Sequence, residues 1–95
     1  GCIYSTTGDL YKFCKALDEK KLLAEYSGEE DYYGFGIETK KLKNKKRAAY
    51  HTGTVPGFST GMYKFTEDDI IIIILSNNMA TDAGTIASEL SSCLD

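Results

Sequence analysis

The stretch YHTGTVPGFSTGMYKF, residues 50–65, decides how this chain folds, because its centre can be read in two incompatible ways. GFSTG at 57–61 matches G-x-S-x-G, the spelling of a serine held on a sharp turn from strand to helix. Such a turn needs a helix after it, where the hydroxyl is exposed and backbone N–H groups wait for an oxyanion. After Ser59, however, the residues Thr60 to Phe65 alternate as a strand does and present no helical face. A serine of that kind is also followed in the chain by its acid and its histidine, whereas His51, the sole histidine, precedes Ser59. Ser59 is therefore read as a strand residue, and the stretch as part of a sheet.

Working outward, the alternation of Tyr33, Phe35 and Ile37 against Gly34, Gly36 and Glu38 predicts a half-buried strand, weakened by its two glycines. Lys43, Asn44 and Lys45 form a turn, and RAAYHTG returns as a second strand antiparallel to the first. GMYKF alternates again, TEDD interrupts it, and IIIIIL at 70–75 is a continuous β-branched run, as suits a central strand covered on both faces. Hiding that run requires helices on both sides of the sheet, or another chain. STTGDLYKFCKAL carries a capping pattern, with Thr6 as N-cap and Asp9 three residues on. Leu10, Phe13, Cys14 and Leu17 follow on one face of a helix spanning about 6 to 20. Leu22 and Leu23 extend that apolar contact, and YSGEEDYYG reads as a polar loop. After an SNN turn, Thr81 or Asp82 caps a last helix whose Ala83, Ile86, Ala87, Leu90 and Leu94 form one stripe. The expected fold is α+β: an antiparallel sheet of three to four strands with an N-terminal and a C-terminal helix packed on it.

At 95 residues the chain is a single domain, residues 1–95, that buries only about 60–65% of its unfolded surface. Its 42% hydrophobic and 26% charged residues are ordinary for a globular chain, and no apolar run approaches the roughly 18 residues of a membrane span. A net charge of −3 argues against nucleic acid as a partner. The basic run KKLKNKKR at 40–47 reads as a solvated hairpin tip. Cys2, Cys14 and Cys93 match no zinc or redox spacing, so no metal, cofactor or structural disulfide is assigned. Cys14 and Cys93 are expected to act as small hydrophobes. Of the seven tyrosines, Tyr32, Tyr33, Tyr50 and Tyr63 fall in strand patterns and are read as core or rim. The chain opens on Gly1 without an initiator methionine, which leads us to expect a processed chain or a piece of a longer one.

Four segments taken in order, GCIYSTTGDLYKFCKAL, YYGFGI, YHTGTVPGFSTGMYKF and IIIIILSNN, resemble the carboxy-terminal third of serine β-lactamases and penicillin-binding-protein-like hydrolases. The likeness is strongest to the class C β-lactamase and esterase-like branch. It spans nearly the whole chain, with Cys2 standing where the family has the second of a glycine pair. By that resemblance His51, Thr52 and Gly53 replace the family's K-T-G or H-x-G triplet on the edge strand of the active-site groove. His51 would be a donor near the substrate carboxylate or the developing charge, a role that depends on pH because imidazole titrates near neutrality. Thr52 would offer its hydroxyl to the same group, and Gly53 would let substrate backbone approach closely. The N–H of Thr54 would be one of the two oxyanion donors.

The resemblance also shows what these residues do not contain. The family nucleophile is the serine of S-x-x-K, and no serine here has lysine three positions on. The family's Y-x-N or S-x-N should precede the triplet; Ser76-Asn77-Asn78 follows it and reads as a turn. The chain is accordingly expected to be part of an acyl-transferring serine hydrolase, inactive alone, whose substrates are β-lactams, D-Ala-D-Ala peptides or esters. Its partners are then the remainder of the parent chain and, through exposed apolar surface or an unpaired sheet edge, a second copy. The family implies an extracytoplasmic location. A cell-wall peptide-binding or interaction module without catalysis is the alternative, and a free-standing interaction domain would bury His51 away from any groove.

Overall fold

The computed structural model describes residues 3–19, 32–34, 36–41, 47–65 and 68–93. Helix α1 spans Thr7–Glu19, and Thr6 caps it as the sequence predicts. Its hydroxyl accepts from the Asp9 N–H at 3.1 Å, and its carbonyl closes the first turn with the Leu10 N–H at 3.0 Å. Strands β1 (Tyr32–Gly34), β2 (Ile37–Lys41), β3 (Arg47–Val55), β4 (Phe58–Phe65) and β5 (Ile70–Ser76) follow, then helix α2 (Ala83–Ser92). Among the described residues the strands form one antiparallel sheet in sequence order, with a helix before and a helix after it, so the α+β arrangement is as expected.

The first predicted strand is in fact a tight hairpin. Tyr33 pairs with Glu38 and Gly34 with Ile37, and between them Gly36 takes φ +78°, a backbone that side-chain-bearing residues rarely adopt. The Lys43–Lys45 turn, Leu22, Leu23, Leu94, Cys2 and residues 26–31 of the polar loop lie outside the described residues; the last three residues of that loop, Tyr32–Gly34, are strand β1 instead, held by pairing with β2.

Strand alternation sorts the sheet into two sides. On one, Ala48, Tyr63, Phe65 and Ala87 of α2 form the buried core, with Tyr50, Ile70, Ile72 and Ile74 packed against it. Lys64, which alternates with Tyr63 and Phe65, lies on the other. There its ammonium donates to the Asp68 carbonyl at 2.7 Å and meets the Asp69 carboxylate at 3.5 Å. Lys15 of α1 reaches the same carboxylate at 3.1 Å. The helices therefore cover opposite sides, α1 against β5 and α2 against β4 and β5.

Three expectations are corrected by this packing. The isoleucine run is the last strand of the sheet rather than a central one, and its residues are half-buried; two helices cover its faces while no described strand pairs with its outer edge. Helix α2 turns Ala83, Ala87 and Ser91 to the sheet and leaves Ile86 and Leu90 exposed, because the rings of Tyr63 and Phe65 leave room only for small side chains beneath it. The basic run is not wholly solvated. Arg47 is buried and donates to the Thr39 hydroxyl at 3.4 Å, and Lys40 lies 4.7 Å over the Tyr50 ring.

Cys14 is buried as predicted, whereas Cys93 is exposed; neither is in a disulfide. The Ser76-Asn77-Asn78 segment is a turn. The Ser76 hydroxyl accepts from the Asn78 N–H at 3.1 Å and lies 2.8 Å from the Thr81 hydroxyl. Asp82, of the two candidates, caps α2. No helix among the described residues is long and apolar enough to cross a membrane.

Candidate functional site

The hairpin of β3 and β4 closes through Pro56 and Gly57. Proline presets its own φ, and Gly57 takes φ +86°. This two-residue loop sets the register: Val55 opposes Phe58, Thr54 opposes Ser59, Gly53 opposes Thr60, Thr52 opposes Gly61 and His51 opposes Met62. Ser59 is buried inside β4, in strand conformation, so the G-x-S-x-G spelling marks no nucleophile turn.

On its other side β3 pairs with β2 only between Arg47 and Tyr50. Beyond Tyr50, no described strand covers the outer edge of Thr52–Val55. His51, Thr52 and Thr54 are exposed and Gly53 is half-buried. Thr52, Gly53 and Thr54 thus lie consecutively along an edge that no described strand covers, directly after His51, at the end of the hairpin where Val55 and Phe58 are also exposed.

Alternation divides the four. His51 and Gly53 face the α1 side with Thr60 and Met62, while Thr52 and Thr54 face the α2 side with Ser59 and Gly61. A group reached by both the His51 ring and the Thr52 hydroxyl must therefore sit beyond the sheet edge, not over either face.

The peptide between Gly53 and Thr54 has a defined direction. The Gly53 carbonyl accepts from the Thr60 hydroxyl at 3.4 Å, so it points toward β4. No described peptide bond is cis, and in a trans peptide the C=O and N–H point in opposite directions. The Thr54 N–H is consequently turned toward the edge that no described strand covers. Gly53 itself is constrained from β4: a Cβ there would lie 2.9 Å from the Thr60 Oγ1. The expectation that this glycine serves the close approach of substrate thus has a second physical cause beside it, the neighbouring strand.

Thr60 holds the Gly53 carbonyl from the facing strand, and no local motif marks it. Counting outward from the Pro56-Gly57 loop puts it opposite Gly53, the signal that would have found it. A recess lined by Lys40, Tyr63, Phe65, Ala87, Ser88 and Ser91 lies elsewhere, between the sheet and α2, and is too tight to admit a ligand. No group of three or more metal-ligating side chains occurs among the described residues.

No family profile and no solved structure matches the chain. Among curated proteins, it is 30% identical over 89 residues to Penicillin-binding protein 4* of Bacillus subtilis (strain 168), a match covering 81% of this chain and 20% of that protein. The chain thus spans about a fifth of the length of the curated relative it matches.

Proposed function

We propose that this chain is the portion of a penicillin-recognising serine hydrolase that supplies one edge of its acyl-binding groove. The observation that carries the reading is the Thr54 N–H, turned to a strand edge that no described strand covers, close to His51, in a chain similar to a penicillin-binding protein. The serine oxygen of the rest of the protein attacks the carbonyl of a β-lactam, a D-Ala-D-Ala peptide or an ester, and the carbonyl oxygen takes the negative charge. Thr54 donates its N–H to that oxygen, with the N–H of the serine residue as second donor. Collapse of the adduct restores the carbonyl and breaks its bond to the leaving group, which takes up the proton that the serine hydroxyl gave to a base in the rest of the protein; the acyl group stays on the serine oxygen. His51 and Thr52, from opposite faces, hold the substrate carboxylate beyond the sheet edge. The same reading places the protein outside the cytoplasm.

The chain has no S-x-x-K serine and is silent alone. Fluorescent penicillin applied to the chain and to the longer protein that contains it tests this: the chain stays unlabelled, and the longer protein, carrying S-x-x-K and Y-x-N, is labelled. Labelling of the chain alone, or a longer protein that has both motifs and stays dark, overturns it. A longer protein without the motifs favours the cell-wall peptide-binding reading instead.

A further inference from the structure

Resting on that reading of the edge, the geometry points to Thr60 as a positioning residue for the oxyanion donor. Thr60 never meets the substrate; it acts through the one peptide unit whose carbonyl it bonds and whose N–H, that of Thr54, faces the groove. Its hydroxyl donates to the Gly53 carbonyl at 3.4 Å. The space it occupies is the space a Gly53 side chain would need, since a Cβ there would come within 2.9 Å of its Oγ1. Glycine at 53 and a hydroxyl at 60 are therefore one device.

Two consequences follow for the donor. On its inner side the Gly53–Thr54 peptide is held by the pairing of Gly53 with Thr60 in the β3–β4 ladder; the hydroxyl adds a second, longer contact to the same carbonyl and further resists rotation of a plane that has no described strand on its outer edge. It also draws electron density toward the carbonyl oxygen, and the same resonance that keeps the peptide planar makes the Thr54 N–H a stronger donor. A fixed, polarised N–H is what stabilises a developing oxyanion without reorganisation at the moment of reaction.

Nuclear magnetic resonance of the 95-residue chain tests the device without any need for catalysis. Thr60→Val keeps the shape and removes the donor; Thr60→Ser keeps the donor. With Thr60→Val, the Gly53 carbonyl carbon and the Thr54 amide proton both move upfield, and Thr60→Ser leaves both near wild type. Should Thr60→Val not give a folded spectrum, Thr60→Ala takes its place with the same expectation. Resonances unmoved by loss of the hydroxyl, or moved as far by serine as by valine, overturn the proposal. That result would leave the groove reading to penicillin labelling. A dark longer protein would sink the groove reading while the hydroxyl-to-carbonyl bond still stood. In a longer protein that labels, Thr60→Val slows acylation and Thr60→Ser restores it; equal rates for the two overturn the positioning role.

Discussion

Tyr63 lies flat against Tyr50, its partner across the β3–β4 ladder, with ring centroids 5.1 Å apart and planes within 4°. The stack joins the buried core to the strand that carries the candidate edge. One side of Tyr63 belongs to the Phe65 and Ala87 core, while Tyr50 is the residue before His51. Tyr63 is 3% exposed. Tyr63→Ala should destabilise the chain by about 3–5 kcal/mol, as expected for loss of a buried aromatic, measured by urea unfolding. In a domain this small that is a large share of the stability.

The same residue sets an alkaline limit. Burial pushes the Tyr63 phenol above its ordinary range, and Tyr50, Asp82 and Glu38 act in the same direction. A raised folded-state pKa means stability that is complete below the ordinary phenol range and lost as pH rises toward and through the folded value. Melting temperatures followed upward from neutral pH should fall in the wild type and fall less in Tyr63→Phe. Identical alkaline slopes would remove Tyr63 as the cause.

At acid pH the first turn of α2 is the sensitive point. The Thr85 N–H at 3.0 Å and then its hydroxyl at 2.7 Å bond the Asp82 carboxylate and hold its pKa below the ordinary range. Stability from a depressed pKa is present above the ordinary aspartate value and lost as pH falls through the folded one. Asp82→Asn keeps an acceptor for the cap but has no charge to lose, so its circular dichroism should show a shallower acid limb than the wild type.

Gly53 and Thr60 should be coupled. Gly53→Ala forces a methyl against a hydroxyl on the facing strand and should destabilise by about 1–3 kcal/mol, the range for overpacking. Thr60→Ala removes that obstacle, so the double variant should recover much of the loss in a double-mutant cycle. Additive effects would mean that the two do not meet.

On α2 the exposed and buried residues invert the simple hydrophobic expectation. Leu90→Ser should change stability by no more than about 0.5 kcal/mol, as surface substitutions do. Ala87→Leu should destabilise by about 1–3 kcal/mol, because Ala87 is 1% exposed against Tyr63 and Phe65.

Strand β5 bears no charge or proline, and no described strand pairs with its outer edge, the arrangement that invites edge-to-edge pairing. The isolated chain should therefore associate with a second copy at high concentration, and Leu75→Lys should weaken that association. Light scattering that finds a strict monomer would count against it.

Local sequence determined the elements wherever a local interaction suffices. Thr6 and Asp82 cap their helices with atoms three residues away, the Pro56-Gly57 loop closes a hairpin, and alternation from Thr60 onward excludes a helix after Ser59. Tertiary structure alone decided what depends on distant neighbours. The size of the Tyr63 and Phe65 rings decided which stripe of α2 faces inward, and the strand order left the isoleucine run at an edge. The end of β2 pairing at Tyr50 left Thr54 with no described strand on its outer edge. Periodicity reports that a residue is apolar or alternates; which surface it meets is set by the volume and register of chain segments far away in sequence. The pairing of Gly53 with Thr60 belongs to both: a two-residue loop dictates the register, and only the folded hairpin brings the hydroxyl to the carbonyl.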